Sequence, residues 1–360
     1  MNKTYRISIY IFISVIIISQ NAGCSRDVAM KGSEFGARFR PVPRTAILEG
    51  DDNYRVWGGS MTRADDGTCY LFYSRIGEGS WLHASEIACA TADHPLGPYH
   101  FQKVVLPGSG GNNWDAQMTH NPTVKKFGDK FYLYYIGTKI GETYEDYGDN
   151  SRTPEVVNLR VHQRIGVAVA DHPCGPWKRY DTPLIDVEPG TIRHYFVTNP
   201  SVTQCPDGSY LMVYKSMRYD GRTVHGTATA TEPAGPFKPN PQAIFTYKKD
   251  GFPAEDPHLW YENGRYYVIL KDFKAYFTGV KFGLALFESR DGLNWNLCEE
   301  PLVNDRTLYW ADGKKQHFEH LERPQLWFEN GKPAVLFCAA IIKENGRERR
   351  FNIHIPLKDF

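Results

Sequence analysis

The stretch NPSVTQCPDGSYLMVY, residues 199–214, contains the pattern that decides the fold. It begins with an Asn-Pro pair, passes through a short polar and β-branched segment, and reaches the dipeptide Asp207-Gly208. A run of large apolar residues, 210–214, follows this dipeptide. An Asp-Gly pair between two such segments is a strong signal for a tight β-hairpin, and aromatic and β-branched residues favour strands. The stretch therefore predicts two antiparallel strands joined by a short turn.

The same hairpin pattern occurs five times along the chain. Four copies begin with a residue followed by proline, whereas the first begins with two glycines; the starting residues are Gly58, Asn121, Asn199, Asp256 and Arg323. Each copy continues to a turn built from glycine and an aspartate or asparagine, and then to a second apolar run. A repeat of this kind indicates a modular architecture.

A second motif follows each of the first three hairpins. Gly-Pro-aromatic occurs at residues 97–99, 175–177 and 235–237, with a degenerate copy at 289–295. Such a turn ends a third strand and starts a fourth. Five four-stranded units arranged radially form a five-bladed β-propeller, whereas a β-sandwich would not repeat one hairpin five times. The fifth unit is short, so we expect residues 40–48 to supply its outer strand and close the ring. The predicted fold class is all-β.

Length and composition agree with one large domain. The chain has 360 residues, 23% of them charged, and a net charge of +1, which excludes wholesale disorder. No block of basic residues is present, so we expect no nucleic-acid partner. No Cys-x-x-Cys pair occurs among the seven cysteines, which gives no support to a zinc ribbon or a thioredoxin-like site.

The N-terminus has the features of an export signal. Lys3 and Arg6 precede an apolar run, residues 7–19, which is short for a permanent membrane helix. The sequence Asn-Ala-Gly-Cys that ends at Cys24 resembles a bacterial lipobox. We therefore expect residues 1–23 to be a lipoprotein signal peptide, 24–39 a linker and 40–360 the propeller. The expected location is the periplasm or outer membrane of a Gram-negative bacterium, with Cys24 as lipid anchor; plain signal cleavage is the alternative.

These features together resemble the five-bladed glycoside hydrolases of family 43 and its relatives, families 62, 32 and 117. The shared elements are the Asp/Asn-Pro start of the inner strands, the Asp-Gly or Asn-Gly hairpins and the Gly-Pro-aromatic turn, from about Val56 to Leu357. The resemblance implies a secreted enzyme that cleaves plant or algal polysaccharides. Family 43 places its catalytic Asp before the blade-one proline, where this chain has Gly59, and Asn121 and Asn199 follow in blades two and three. The chain is thus a divergent member of the group.

Propeller topology predicts where the site lies. The innermost strands of all blades start at one mouth of the central channel, and the hairpin returns each second strand to that mouth. Glu255, Asp256, Glu322 and Arg323 fall at these starts, where unpaired charges are costly to bury. A salt-bridge network between blades, for example Arg323 with Asp256, is one interpretation. A pair of catalytic carboxylates is the other.

Four acidic residues are candidates for catalysis. Glu255-Asp256-Pro257 and Glu322-Arg323-Pro324 match the Glu-x-Pro pattern of the family 43 acid. We predict that Glu255 is the general acid, that Asp256 tunes its pKa and that Glu322 is a reserve acid. Asp115, which follows two glycines in the loop before blade two, is the predicted general base. If it faces Glu255 across the pocket with room for water, the enzyme inverts; a loop-capping role for Asp115 is the alternative.

Substrate contacts are expected from aromatic, amide and basic side chains at the same mouth. The predicted residues are Trp57, Arg75, His120, Asn121, Asn199, Lys215, His258, Lys271 and Arg323. Trp114 is a further sugar platform or a core residue. The insertion 141–162, rich in charged and polar residues, is a candidate lid or subsite wall.

The predicted function is an exo-acting glycosidase. A non-catalytic glycan-binding lipoprotein on the same scaffold is an alternative that the loss of the blade-one Asp favours, and a polysaccharide lyase is a third. We expect a carbohydrate as the substrate, a monomeric protein, membrane contact only through a lipid anchor, and no required cofactor. A structural cation on the propeller axis would be compatible with the pattern.

Overall fold

A computed structural model describes residue 1 and residues 28–139, 159–247 and 251–358. These residues form five four-stranded antiparallel sheets, the blades of a β-propeller. Within each blade the strands are given from the first to the last in hydrogen-bonding order. Blade 1 contains β2 (Arg55–Arg63), β3 (Cys69–Ile76), β4 (Ser85–Ala92) and β5 (His100–Leu106); blade 2 contains β6 (Met118–Phe127), β7 (Lys130–Thr138), β8 (Arg164–Ala170) and β9 (Lys178–Arg179); blade 3 contains β10 (Val197–Gln204), β11 (Tyr210–Met217), β12 (Thr223–Ala230) and β13 (Lys238–Pro239); blade 4 contains β14 (Ala254–Glu262), β15 (Arg265–Asp272), β16 (Leu284–Ser289) and β17 (Asn296–Asn304).

Blade 5 is completed by the N-terminal part of the chain. It contains β20 (His320–Glu329), β21 (Lys332–Glu344), β22 (Arg347–Pro356) and, outermost, β1 (Ile47–Glu49). Ile47 pairs with Ile353 in the antiparallel register of β1 and β22. The predicted five-bladed fold and its N-terminal closure are therefore confirmed, with the closing strand at the C-terminal end of the predicted segment.

The first strand of each blade, at the propeller axis, carries a β-bulge at the same place. These strands are β2, β6, β10, β14 and β20. The residue in the bulge has a positive φ in all five blades: 56° at Gly58, 51° at Asn121, 52° at Asn199, 56° at Asp256 and 57° at Arg323. Glycine, asparagine and aspartate tolerate this left-handed conformation, which explains four of the five positions. These five bulge positions are called the axial ring below.

Side chains just beyond the bulges join neighbouring blades. The backbone N–H of Val124 donates to Ser60 Oγ at 3.0 Å, and that of Leu259 donates to Ser201 Oγ at 2.8 Å. Each bond satisfies a buried polar group that would otherwise cost free energy. Apolar side chains fill the space between adjacent blades in five separate clusters, so the core is distributed around the ring.

Residues 28–39 differ from the linker that the sequence suggested. They include a short helix, α1 (Gly32–Gly36), in which Phe35 is fully buried in the core beside blade 4. A Cβ on Gly36 would lie 2.1 Å from the carbonyl oxygen of Val303 in β17, so only glycine permits this approach. The segment is thus part of the folded domain.

Other elements lie outside the blades. The loop between β3 and β4 contains a helical turn, α2 (Trp81–Ala84), and a small hairpin of β18 (Thr307–Tyr309) and β19 (Lys315–His317) joins blades 4 and 5. The six described cysteines are free thiols. Among the described helices, none has the length and apolar character needed to cross a membrane. The predicted signal peptide, Cys24 and most of the insertion 141–162 lie outside the described residues.

Candidate active site

A cavity of about 320 Å³ opens at the mouth where the innermost strands begin. Nine of the predicted site residues line it: Trp57, His120, Asn121, Asn199, Lys215, Glu255, Asp256, Lys271 and Glu322. The hairpin repeat therefore brings most of the candidate residues to one cavity. The lining also includes residues that the sequence did not single out, namely Arg55, Trp81, Arg160, Gln163, Phe196 and Arg350.

Three residues of the axial ring, Asn121, Asn199 and Asp256, line this cavity. Asn121 Nδ2 donates to Asn199 Oδ1 at 2.9 Å, and Asn199 Nδ2 donates to Asp256 Oδ1 at 2.6 Å. Arg323 is fully buried and crosses the ring to donate from Nη2 to the carbonyl oxygen of Asn121 at 2.7 Å. The side chains of four blades thus connect under the pocket.

Gly58 leaves the space that Arg323 occupies. A Cβ at Gly58 would lie 2.8 Å from Cγ of Arg323. The bulge confirms that Gly58, the starting residue of the first hairpin copy, is the counterpart of Asn121 and Asp256, so the blade-one position to compare with the family 43 Asp is Gly58 rather than Gly59. The position that carries the catalytic Asp in the family 43 pattern is therefore filled by an arginine side chain from blade 5.

Two lysines hold the neighbouring carboxylates. Lys215 Nζ lies 2.5 Å from Glu255 Oε1, and Lys271 Nζ lies 2.8 Å from Glu255 Oε2. Lys271 also forms an ion pair with Glu322, whose other oxygen lies 3.2 Å from His320 Nδ1. A salt-bridge network between blades therefore exists, but through these lysines; among the described residues, Arg323 and Asp256 form no ion pair within 4.0 Å.

The network lowers the pKa of two carboxyl groups, and the pKa of the third is raised. Burial opposes the ionisation of Glu255, yet Lys215 and Lys271 outweigh it and hold the pKa of Glu255 well below its usual range. Burial also opposes the ionisation of Glu322, and Lys271 again lowers its pKa. Asp256 has no such cation in contact, so burial and the charge of Glu255 raise its pKa to about 6.

These directions change the roles predicted for Glu255 and Asp256. A general acid must hold a proton near the working pH. Glu255, paired with two ammonium groups, favours the ionised form, whereas Asp256 is the carboxyl group that retains a proton in mildly acidic solution. The positions of Lys215 and Lys271 therefore favour Asp256, rather than Glu255 as predicted, as the carboxyl group that holds a proton.

The same three carboxyl groups could together ligate a cation. One oxygen each of Glu255, Asp256 and Glu322 lies within 4.8 Å of the others. Lys271 Nζ already contacts both glutamates, so a divalent ion would have to displace an ammonium group that neutralises the cluster. We assign Glu255 and Glu322 to the lysine network.

Asp115 does not reach this cluster. It is 2% exposed and does not line the cavity. Its carboxylate accepts hydrogen bonds from Ser109 Oγ at 2.5 Å, Tyr135 Oη at 2.8 Å and Arg179 Nη1 at 2.8 Å. With its oxygens occupied and its surface covered, Asp115 anchors the loop before β6. The prediction that it is the general base is not supported by this placement, and the structural alternative describes it better.

Three other predicted residues also lie outside the cavity lining. Arg75 Nη1 pairs with Glu86 at 2.6 Å, and its guanidinium packs on the ring of Tyr54. His258 is buried below the ring and accepts the backbone N–H of Leu326 through Nε2. Arg323 is fully buried in the axial ring and does not line the cavity. Each is therefore structural in this arrangement, because none presents a polar atom to the pocket.

The tryptophan side chains also divide between the cavity lining and the core. Trp57 lines the cavity as predicted, but Trp114 stacks on Tyr135 with ring centroids 5.5 Å apart and belongs to the core. Trp81, which the sequence analysis missed, stacks on His120 at 4.5 Å. Burial lowers the pKa of His120 to about 3, so this ring is neutral at ordinary pH. Trp81 belongs to a loop without a periodic hydrophobic pattern, so the sequence gives no signal that its side chain lines the cavity.

Comparisons with known proteins bear on the fold. No protein-family model and no curated protein sequence matches the chain. Among solved structures, a thermostable family-43 glycoside hydrolase superposes with a TM-score of 0.59 at 13% identity, covering 86% of this chain and 96% of its own. An α-L-arabinofuranosidase from Lactobacillus brevis gives 0.58 at 14% identity, with 88% and 92% covered.

A third structure extends the comparison to another predicted family. The family 117 glycoside hydrolase from the marine bacterium Zobellia galactanivorans gives a TM-score of 0.58 at 16% identity, with 88% and 90% covered. The predicted resemblance to families 43 and 117 is confirmed at the level of architecture. At these identities the likeness shows the fold alone: the chain has the five-bladed β-propeller fold that is also found in these glycoside hydrolases.

Proposed function

We propose that the protein is a glycoside hydrolase and that the cavity over the axial ring is its active site. The observation that carries the proposal is the group of three carboxyl side chains, Glu255, Asp256 and Glu322, at the inner end of one pocket. Glycosidic bond cleavage requires a protonated carboxyl and an ionised one at the same bond. This cluster favours both states side by side, and glycoside hydrolases are among the proteins that share the fold.

The roles follow from the charges. Asp256 donates its proton to the glycosidic oxygen as the bond from that oxygen to the anomeric carbon breaks. Glu255, ionised and with 20% of its side chain exposed, forms the new bond to that carbon or directs a water to it. Lys271 and Glu322 fix the position of Glu255 through their shared ion pairs.

The spacing bears on stereochemistry. Inverting enzymes separate their carboxyl groups by about 6.5–9.5 Å and retaining ones by about 5–5.5 Å. One oxygen of Glu255 and one of Asp256 lie within 4.8 Å of each other, closer than the inverting range, and we propose retention through a covalent intermediate. Inversion was predicted for Asp115 facing Glu255 across the pocket, and Asp115 lies outside the cavity.

An exo mode of action fits the shape. The axial ring closes the cavity below, and about 320 Å³ is at the small end of ligand sites. Such a pocket admits the end of a saccharide rather than the middle of a chain. We propose a plant or algal polysaccharide or oligosaccharide as the substrate, in keeping with the arabinofuranosidase among the structural neighbours.

The test is a screen of aryl glycosides and oligosaccharides with purified protein, followed by separate Glu255→Gln and Asp256→Asn variants on any glycan that is cleaved. Asp129→Asn, an exposed turn residue, is the matched control. Loss of turnover in the two cavity variants alone supports the proposal. Turnover near the wild-type level in either variant removes that residue from the mechanism.

A glycan-binding protein without hydrolytic activity is the second candidate. Its specific support is that lysines engage the oxygens of Glu255 and that Gly58 occupies the family 43 base position. It predicts saccharide binding with no release of reducing ends, and no change in binding when Asp256→Asn is introduced. Calorimetry and a reducing-end assay on the same saccharides distinguish the two candidates.

We also propose that the protein is exported, held by a lipid at Cys24, monomeric and independent of a cofactor. The support is the lipobox-like sequence before Cys24 and the neutralisation of the acidic cluster by lysines. Cys24→Ser should release the protein from the membrane fraction. Activity that persists in a chelator would agree with the absence of a required metal.

A further inference from the structure

Charge is distributed unevenly around the cavity. Of the described residues that line it, five are cationic and three are carboxylic. The carboxyl groups and two of the cations, Lys215 and Lys271, come from blades 3, 4 and 5, where they neutralise one another. The other three cations are arginines, Arg350 of blade 5, Arg55 of blade 1 and Arg160 of blade 2, so blade 5 contributes to both groups.

Arg55 is held in place without a counter-charge. Its Nη2 donates to the carbonyl oxygens of Gly77 at 3.1 Å and Gly79 at 2.5 Å, both of which are neutral. No carboxylate of the described residues lies within 4.0 Å of its guanidinium. Because Nη2 alone makes these bonds, Nε and Nη1 keep donors for a ligand. A fixed guanidinium with free donors is the group that binds carboxylate and sulfate oxygens in a bidentate manner.

The two other arginines lie near this guanidinium at the cavity lining. Arg350 pairs with Glu348, and their side chains are 37% and 47% exposed, so solvent and salt screen this pair. The guanidinium of Arg160 lies 5.5 Å from the ring centre of Trp81, which itself lines the cavity. The net charge of the whole chain is only +1, so the basic side of the pocket is a local feature.

We propose that the cavity accepts a sugar that carries an anionic substituent, a carboxylate or a sulfate, and that Arg55, assisted by Arg160 and Arg350, binds this group. The sugar ring then lies beside Trp57 and Trp81, with its anomeric carbon toward Glu255 and Asp256. Only this last placement rests on the proposed hydrolase function; the recognition of the anionic group does not. A neutral sugar would cover the same arginines without offering them a counter-charge, at a cost in desolvation.

Calorimetry on the wild-type protein tests the proposal with matched probes. The pairs are methyl glucuronide with methyl glucoside, and galactose 6-sulfate with galactose, in low and high salt. We expect at least one anionic probe to bind tenfold or more tightly than its neutral partner, and less tightly in high salt. The pair that shows the preference identifies the anionic group as carboxylate or sulfate. No preference for either anionic probe overturns the proposal.

Substitutions of single arginines test which residue causes the preference for the anionic probe. Arg55→Gln should weaken the anionic probe at least tenfold and leave the neutral one unchanged, and Arg350→Gln gives a second measurement if Arg55→Gln does not fold. Arg347→Gln, an exposed arginine three residues from Arg350 that does not line the cavity, is the charge-matched control. Equal losses with Arg347→Gln, or equal losses for both probes, would contradict the assignment. Anionic binding without cleavage of any glycan would leave this inference intact and remove the hydrolase proposal; cleavage of neutral glycans alone would do the reverse.

Discussion

Asp115 and Asp256 are both buried aspartates, with 2% and 5% of their surfaces exposed. Asp115 accepts hydrogen bonds from a serine, a tyrosine and the charged Arg179. Asp256 accepts one, from Asn199, and lies next to the carboxylate of Glu255. The first aspartate has three protein donors on its carboxylate, one of them a cation, whereas burial and the charge of Glu255 raise the pKa of the second.

The difference separates a structural carboxylate from a chemical one. A buried carboxylate that accepts three hydrogen bonds from the protein and lies outside the cavity is closed to a substrate. A carboxyl group with few donors and a like charge beside it exchanges a proton readily near neutral pH. Residue type and burial are the same at the two positions; the neighbours decide the role.

The largest expected effect is on turnover. Asp256→Asn removes the proposed proton donor while keeping its shape, so kcat on a cleaved glycan should fall about a hundred-fold to ten-thousand-fold. Asp115→Asn, compared at equal concentrations of folded protein, should keep kcat close to wild type. The measurement is steady-state kinetics, with the folded fraction taken from circular dichroism. Similar losses in both variants would remove the distinction drawn between the two aspartates.

The next effect is on stability. Asp115→Asn leaves Arg179 without its anionic partner, and breaking a buried ion pair costs about 3–5 kcal/mol. Because 21% of the Arg179 side chain is exposed, we expect the lower end, about 3 kcal/mol. Urea unfolding measures this change in the free energy of unfolding. Arg179→Gln should give a loss of similar size, and an unchanged midpoint in both variants would show that the pair is not structural.

A third prediction concerns the pH dependence of stability. Here Asp256→Asn should raise the free energy of unfolding, whereas Asp115→Asn lowers it. The pKa of Asp256 is raised from 3.8 to about 6 by burial and by Glu255, so the folded state binds this proton more tightly than the unfolded state. The stability that comes from this proton is fully present below pH 4 and is lost as the pH rises through 6. Asparagine imitates the protonated form and does not titrate.

Asp256→Asn should therefore match the wild type near pH 4 and exceed it in stability at pH 7.5, by less than about 3 kcal/mol, the linkage value of two pKa units. Urea titrations of both proteins at the two pH values test this. Asp115→Asn provides the contrast, since it should be destabilised at pH 7.5. A variant Asp256→Asn that is less stable than the wild type at pH 7.5 would show that this carboxyl group is stabilised as an anion.

Sequence reasoning recovered the propeller because each hairpin carries its own local signal. Turn dipeptides and apolar runs specify the blades without information from distant residues, and the topology then brings the strand starts to one mouth. Glu255, Asp256 and Glu322 were found in this way. The lysines Lys215 and Lys271 were also identified, from their places at the ends of second strands.

The roles of the residues within the site could not be predicted from these local sequence signals. Asp115 follows a glycine-containing loop. No feature of the neighbouring sequence indicates that Arg179, which is 64 residues later, pairs with it. The pairing of both lysines with Glu255 likewise depends on distances between blades. Arg55 begins a strand as an ordinary polar residue would, and its missing counter-charge appears only when the cavity is assembled. Pairwise distances, not residue types, carried this information.

The smallest predicted effect concerns the individual donors to Asp115. Ser109→Ala removes one hydrogen bond but leaves those from Tyr135 and Arg179, so the carboxylate remains paired. A hydrogen bond to a charged group contributes about 1.5–3 kcal/mol, and the two remaining donors reduce the loss to about 1 kcal/mol. Tyr135→Phe is the matched variant from the other side of the carboxylate. Neither change should alter the pH dependence of kcat, because Asp115 takes no part in proton transfer in this mechanism. A shifted pH profile in Ser109→Ala, with stability unchanged, would return Asp115 to the list of catalytic candidates and show that its hydrogen bonds tune a proton rather than anchor a loop.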